Sequence, residues 1–345
     1  MDLNLKMINE VKKHFILVDK CADQTRIVEI QNKKIVRFTC WEDKNPPLIG
    51  NILDAKIIKK LNSGIVRARL NNKKIVTVRV ETKSLKINEK IKIIITSEEF
   101  DDKPIQAKLW SEDYNFDGIN NVQRIIYLFF NKNIPVIEDY NAIYWNKLDL
   151  DSSFLSALEP MIKIDDGGVL WIEKTKTATM IDVDTKNFLI NKEDEMLMFC
   201  KKAFVTCVNE IKLRNIGGMI LIDFPRVSLN RKKILHEFFC EIGIKKLPGS
   251  IFLGFSRLQL YEMYVPRNFK SIESFYVNKI EFDFQNHIRS LWRISKEKKS
   301  KNNIQFLCGK NLYKKISIKK TPDFISIIER PDLPKDYGEL LEKKI

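Results

Sequence analysis

The sequence lacks the features on which several common classes of protein depend. Its 345 residues contain no apolar run that reaches the ~18 residues of a membrane-spanning helix, so no membrane partner is expected. The stretch MDLNLKMINEVKKHF has no apolar core of the kind that a secretion signal needs, which makes a cytoplasmic location the expectation. The six cysteines form no CxxC pair. They therefore predict neither a zinc ribbon nor a redox motif, and we expect reduced, buried thiols.

Histidine is also scarce. The three histidines are scattered along the chain and match neither a catalytic triad nor an HExxH metal site. His236 lies on an apolar helical segment and is interpreted as structural. The histidines therefore predict neither a histidine-based triad nor a zinc-protease site.

Positive charge is abundant. Lysine and arginine number 60 against 45 acidic residues, which gives a net charge of +15 and an isoelectric point near 9.3. This balance is typical of a protein with a polyanionic partner such as nucleic acid. Compositional drift is the alternative explanation of the positive charge, because lysine, isoleucine and asparagine recur everywhere in the chain. The length of 345 residues predicts two or three domains. The hydrophobic fraction of 44% and the charged fraction of 30% are typical of a soluble globular protein.

Two buried-strand patterns carry the most informative acidic residues. The apolar runs Thr179–Val183 and Met219–Ile222 bring Asp182 and Asp223 to strand ends. Asp184 lies two residues after Asp182, so strand alternation places both on one face. Carboxylates at the exposed end of a rigid strand can hold a hard cation such as Mg²⁺. Aspartates at strand ends also form turns or cap helices, and this second interpretation remains open.

The first half of the chain is predicted to consist mainly of β-strands. Alternating patterns over 14–41 predict strands, with a hairpin turn at 31–33. Asp19 and Glu29 within these strands are interpreted as surface charges. Five short strands between Gly50 and Trp110, one of them near Ser84–Leu85, predict a small β-barrel of the OB type. The segment from Gly64 to Ile95 contains no aromatic residue. This barrel is therefore expected to hold a nucleic acid through charge more than through stacking.

Three motifs resemble one known family. GGVLWIEKTKTATMIDVDT, KLRNIGGMILIDF and FSRLQLYEM, between Gly167 and Met263, are similar in order and spacing to segments of the ribonuclease E/G family. The resemblance implies that Asp182 and Asp223 bind Mg²⁺, for which Mn²⁺ can substitute. It also implies that Asp184 belongs to the catalytic group, where the family usually has Asn. Glu262 matches an acidic position that supports the site.

The resemblance also implies an α+β multidomain architecture. The expected parts are an RNase-H-like subdomain formed by 1–47 and 115–165, an inserted OB-type β-barrel at 48–112, a DNase-I-like α/β catalytic subdomain at 166–278 and a small α/β C-terminal domain at 279–345. The expected RNA-binding residues are Lys56, Arg67, Arg69, Lys103, Arg226 and Arg257. The family's 5′-monophosphate sensor, zinc link and scaffold tail are not found, which points to a compact member.

The implied activity is that of a Mg²⁺-dependent endoribonuclease that leaves 5′-phosphate and 3′-hydroxyl ends. Its expected partner is single-stranded RNA, either mRNA or precursors of rRNA and tRNA, with no zinc-linked tetramer; a homodimer is left open. Three departures from the family pattern, at Lys176, Asp184 and Arg226, favour the alternative of a non-catalytic RNA-binding protein on the same scaffold. An OB-fold DNA-binding or translation accessory protein would explain the barrel but not the paired aspartates.

Overall fold

A computed structural model of the protein describes residues 14–62, 64–80, 85–99, 104–112, 119–130, 133–165, 167–186, 192–267, 269–275, 279–298, 304–317, 325–335 and 337–342. The strands are β1 (His14–Cys21), β2 (Gln24–Gln31), β3 (Lys34–Glu42), β4 (Ile52–Asn62), β5 (Ile65–Leu70), β6 (Ile75–Arg79), β7 (Lys90–Ser97), β8 (Ile105–Leu109), β9 (Val136–Glu138), β10 (Met161–Lys163), β11 (Val169–Lys174), β12 (Ala178–Asp184), β13 (Gly218–Asp223), β14 (Ile251–Phe255), β15 (Tyr261–Val265), β16 (Ile304–Cys308), β17 (Ile325–Glu329) and β18 (Gly338–Glu342). The α-helices are α1 (Asn121–Phe129), α2 (Ile143–Lys147), α3 (Leu150–Leu158), α4 (Glu193–Arg214), α5 (Leu229–Lys246), α6 (Lys279–Lys298) and α7 (Lys310–Ile316).

The first sheet has the strand order β3-β2-β1-β9. The predicted hairpin is present between β2 and β3, where Asn32 and Lys33 both adopt positive φ, at 51° and 66°. Two consecutive residues with positive φ give a turn whose twist matches that of the flanking strands. The chain leaves this sheet after β3, forms the barrel, and returns to pair β9 parallel to β1, with Ile16 opposite Val136.

The prediction that Asp19 and Glu29 are surface charges is wrong. Asp19 is fully buried and Glu29 is 5% exposed. Asp19 accepts hydrogen bonds from Arg26 (2.9 Å), Arg289 (3.1 Å) and Arg293 (2.9 Å). A buried carboxylate is tolerated only where such partners replace its hydration. Two of the three partners come from α6, far away in sequence, so a local pattern could not reveal them.

The predicted barrel is present and closed. Its strand order is β4-β5-β6-β8-β7, and β7 pairs back to β4, which is consistent with an OB-like fold. One predicted strand is wrong: Leu85 is not in a strand, and Ser84 lies outside the described residues. The fifth strand is β8 instead, with Ile105 and Ala107 buried in the barrel. Only two of its five side chains are buried in this way, so the alternating pattern is too short to stand out in the sequence.

The third sheet carries the predicted aspartates. Its order is β10-β11-β12-β13-β15-β14, and β12 and β13 are its one parallel pair among the described strands. Helices α4 and α5 cover one face, where Phe204 and Phe239 stack with ring centroids 3.9 Å apart. The opposite face is exposed and includes Trp171, Met219 and Tyr264. The sheet therefore has one face built for packing and one that a ligand can reach.

The last three described strands form a sheet of their own. Strands β17-β16-β18 make a three-stranded sheet, of which β18 was not predicted from the sequence.

All six cysteines are free thiols, as predicted from the sequence, and five of them are buried; Cys240 is half-buried. Among the described residues, no helix combines the length and the apolar character needed to cross a membrane.

Candidate active site

Asp182 and Asp223 lie directly opposite each other on adjacent parallel strands. The register of β12 and β13 pairs Ala178 with Met219 and proceeds without a shift to Asp182 and Asp223. Neighbouring strands lie about 4.8 Å apart, and residues paired in register point to the same face. Both aspartates are exposed. The two carboxylates were predicted from separate sequence motifs. They are neighbours at the carboxyl ends of two central strands, and this end of the sheet is called its carboxylate edge below.

Strand alternation explains why these side chains reach the solvent. Ile181 and Val183 are 1% and 5% exposed and pack under the helices, whereas Asp182 and Asp184 point to the open face. Asp184 also has a local role, because its Oδ1 accepts a hydrogen bond of 2.7 Å from the backbone N–H of Lys186. Such a bond is typical of an aspartate that forms a turn. The turn interpretation therefore applies to Asp184, and it leaves the second carboxylate oxygen available.

The acidic residues perturb one another electrostatically. Partial burial raises the pKa of Asp182, and the charges of Asp223 and Asp184 raise it further, against a smaller opposing effect of the Val183 backbone. Like charges this close favour either a proton or a cation between them. The donor set therefore suits a hard cation, since carboxylate oxygens are the ligands that Mg²⁺ prefers.

The described residues contain no group of three or more His, Cys, Asp or Glu side chains arranged to hold a metal ion. A cation at this edge would thus have two protein carboxylates and complete its coordination with water or phosphate. That arrangement is usual for Mg²⁺, which is often bound through one or two carboxylates and substrate phosphates. The residues present are compatible with such an ion and do not form a closed protein cage.

The other predicted site residues near the sheet occupy the same edge or face. Glu262 is half-buried and pairs with Leu221, one step diagonal from Asp223 on the same face. Arg226 is exposed and follows β13, while Arg257 is exposed and follows β14, which runs in the same direction as β13. Both arginines therefore leave the sheet at the edge that carries the aspartates.

Lys176 lies elsewhere. It is in the exposed turn between β11 and β12, beyond the pair of Lys174 and Thr179 and at the far end of the hairpin from Asp182. The departure from the family pattern at this position is therefore separated from the carboxylate pair by most of the length of β12.

The barrel presents rows of like charge. Lys56 on β4 lies opposite Arg69 on β5 and opposite Lys90 on β7, and Arg67 lies opposite Lys59. All five of these side chains are exposed. Like charges directly opposite one another destabilise a sheet, so an anionic partner would relieve them. Lys103, the remaining predicted RNA contact, lies outside the described residues.

Two residues that lie near the carboxylates were not predicted from the sequence as part of the site. Trp171 lies directly opposite Asp182 across the antiparallel pair of β11 and β12, and 38% of its surface is exposed. Lys186 is exposed, and its Nζ lies 3.8 Å from the Sδ of Met161. The signal for Trp171 was available, since an aromatic residue at an outward position of an alternating strand is unusual. Lys186 carried no such signal.

The protein thus combines an OB-like barrel with a mixed sheet whose two central parallel strands end in paired carboxylates. These two features define the class of protein to which it is compared. The sequence profile of the Ribonuclease E/G family matches residues 56–268, which is more than half of the chain and includes both aspartates and nearly all of the barrel. The protein belongs to the ribonuclease E/G family.

Individual relatives match smaller parts. The chain is 31% identical to ribonuclease G of Escherichia coli K12 over 137 residues, which are 38% of this chain and 27% of that protein. It is 35% identical to ribonuclease E of Synechocystis over 93 residues, or 26% of this chain and 14% of the relative. It is 28% identical to a ribonuclease E/G-like protein of Porphyra purpurea over 152 residues, 41% of this chain and 29% of that one. The aligned segments thus span less than a third of each relative.

Proposed function

We propose that the protein is an endoribonuclease that hydrolyses single-stranded RNA, with Mg²⁺ held by Asp182 and Asp223. The observation that carries this proposal is the register pairing of these two exposed carboxylates within the segment that matches the family profile. When bound, the ion supplies Lewis-acid stabilisation of the charge that develops on the phosphate, and it lowers the pKa of water. Because water rather than the ribose 2′-hydroxyl is the nucleophile, the products carry 5′-phosphate and 3′-hydroxyl ends.

Other residues of the protein orient the strand end, contact the phosphates and support the site. Asp184 fixes the turn that follows β12 through its bond to the Lys186 amide, and this orients the strand end that carries Asp182. Arg226 and Arg257 leave the same sheet edge as exposed cations and contact the phosphates that flank the cleaved bond. Glu262 supports the site from the neighbouring strand.

The barrel supplies most of the electrostatic attraction for the strand. Its facing pairs, Lys56 with Arg69 and Arg67 with Lys59, contact the backbone phosphates without reading the bases. Electrostatic binding of this kind does not depend on the RNA sequence, and it weakens as the salt concentration rises.

A second candidate is a non-catalytic RNA-binding protein on the same scaffold. The hydrogen bond that the Lys186 amide donates to one carboxylate oxygen of Asp184 favours it. The exposed arginine at position 226 favours it as well. The DNA-binding or translation accessory alternative leaves the Asp182–Asp223 pair without a role.

Incubation of the protein with an end-labelled, unstructured RNA separates the two candidates. The nuclease proposal expects internal cleavage with Mg²⁺ or Mn²⁺, none with excess EDTA, and product ends that a 5′-phosphate-dependent exonuclease can degrade. RNA that is bound but stays intact with every divalent cation would establish the binding protein instead. Cyclic-phosphate ends would contradict the mechanism, because they require attack by the 2′-hydroxyl.

A further inference from the structure

The side chains next to the carboxylate pair form a continuous row. Met161 on β10 lies opposite Trp171 on β11, Trp171 lies opposite Asp182 on β12, and Asp182 lies opposite Asp223 on β13. The row crosses four adjacent strands at right angles to their direction, with steps of about 4.8 Å. Trp171 is therefore one strand away from Asp182 and two strands away from Asp223.

The indole of Trp171 is accessible. Trp171 and Met161 are 38% and 36% exposed, whereas Ile172, the next residue of β11, is 5% exposed on the helix-covered side. A large aromatic side chain beside a cluster of carboxylates gains little from packing on this open face. Its position instead suits a planar ligand that approaches from the solvent.

We propose that Trp171 forms a base-stacking subsite for the single-stranded RNA nucleotide next to the cleaved phosphate. This inference rests on the proposed function, since it uses the Asp182–Asp223 edge to locate the phosphate. Proteins that hold single strands combine a basic path for the backbone with aromatic side chains on which bases stack. The barrel supplies the basic path, but its segment Gly64–Ile95 has no aromatic residue. The aromatic contribution comes from the sheet.

The charges along the row suggest where the phosphates of the strand lie. Lys186 adds a cation beside Met161 at the outer end of the row, and a cation held by Asp182 and Asp223 would attract a phosphate at the inner end. A strand that crosses the sheet along the row therefore places one phosphate near Lys186, stacks one base on Trp171, and brings the next phosphate to the two aspartates. Stacking of this kind tolerates any base, because every base has a π-face.

The proposal is tested by a coupling experiment between the protein and single bases. A set of short single strands carries one abasic nucleotide at each successive position around the cleaved bond. In the wild type, removal of the stacked base alone is expected to lower kcat/KM by ~10-fold, within the range of base–aromatic stacking. Trp171→Ala shows the same loss on the intact strand and no further loss when that base is removed. Trp171→Phe keeps most of the coupling, because it keeps an aromatic face.

The matched control is Ile251→Ala. Ile251 is 56% exposed on β14, the strand at the far edge of the same sheet, so its loss changes the apolar surface without reaching the row. It is expected to leave the abasic profile unchanged. An equal loss at every abasic position in the wild type and in Trp171→Ala would overturn the proposal. A change of oligomeric state in Trp171→Ala with an unaltered abasic profile would also overturn it, because Trp171 would then be an interface residue.

A binding measurement separates failure of this inference from failure of the proposed function. In EDTA, an intact oligonucleotide is expected to quench tryptophan fluorescence more in the wild type than in Trp171→Phe, and removal of the stacked base should abolish that difference. Quenching of this pattern without cleavage in Mg²⁺ would refute the nuclease and leave the stacking subsite standing. Cleavage in Mg²⁺ without position-specific coupling or quenching would do the reverse.

Discussion

Asp19 on the first strand accepts a hydrogen bond of 3.1 Å from Arg289, a residue 270 positions later in the chain. Neither side chain is more than 1% exposed. Arg26 and Arg293 complete the surroundings of the same carboxylate. This buried group connects β1 to helix α6 and contributes to the stability of the fold, at a distance in sequence from the carboxylate pair of the candidate active site.

Replacement of Asp19 by Asn should destabilise the protein strongly. Removal of one partner from a buried ion pair leaves uncompensated charge and typically costs about 3–5 kcal/mol of unfolding free energy. Urea denaturation of the variant measures this loss. The matched control is Asp332→Asn, which breaks the exposed ion pair with Arg330 and should leave the denaturation midpoint unchanged. Equal midpoints for wild type and Asp19→Asn would mean that the buried cluster contributes nothing.

The same carboxylate should make stability depend on acid pH. Burial alone would raise the pKa of Asp19, but the charges of Arg26, Arg289 and Arg293 together outweigh it and lower that pKa. In the unfolded chain an aspartate titrates near ~3.9. The stabilisation is therefore complete above that pH and is lost as the pH falls through the lower pKa of the folded state. The difference in unfolding free energy between wild type and Asp19→Asn should be constant near neutrality and shrink below about pH 4. A difference that grows in acid would contradict the lowered pKa.

Activity should depend on both paired aspartates. Asp182→Asn and Asp223→Asn keep side-chain shape but remove charge, and a metal contributes several kcal/mol of transition-state stabilisation, so each variant should lose at least ~100-fold in kcat. Circular dichroism and denaturation midpoints should match those of the wild type, since both side chains are exposed. Glu159→Gln, which removes an exposed charge before β10, serves as the control with normal activity. A wild-type rate in either aspartate variant would refute the metal assignment.

The sequence was a good guide to this edge of the sheet for a physical reason. Asp182 and Asp223 each end a short, strongly apolar strand, and parallel strands joined by one helix bring their ends together. Asp19 could not be interpreted in the same way, because a lone aspartate in an alternating strand has the same local pattern whether water or three arginines surround it. Strand β8 was missed because its buried positions are too few to form a pattern.

RNA binding should weaken steeply with salt. The exposed rows Lys90–Lys56–Arg69 and Lys59–Arg67 offer backbone contacts, and each phosphate neutralised on a single strand contributes about −0.7 to the slope of log K against log salt. Replacement of Lys56 and Arg69 by Gln should reduce the magnitude of that slope by about 1.4. The control Lys44→Gln removes an exposed cation paired with Glu42 outside the barrel and should keep the wild-type slope. A flat salt dependence in the wild type would exclude an electrostatic grip.

Cleavage should be indifferent to the 5′ end of the RNA. The family resemblance implies that preference for a 5′ monophosphate requires an additional module after the barrel. Here β8 ends at Leu109 and α1 begins at Asn121, and so short a connection cannot form a folded domain. No Arg-Thr dipeptide occurs between Trp110 and Gly167.

Single-turnover cleavage of one oligonucleotide, carrying either a 5′ monophosphate or a 5′ hydroxyl, measures the preference. The expected rates agree within about 2-fold, because the connection between β8 and α1 is too short to build a separate pocket of charge-assisted hydrogen bonds for the monophosphate. A several-fold preference for the monophosphate would show that another surface binds it. The groove lined by Lys34, Lys163 and Lys245 would then be the first place to look, since it gathers basic side chains beside β10. Loss of the preference in Lys34→Gln or Lys163→Gln, with the hydroxyl substrate unaffected, would identify that groove as the sensor.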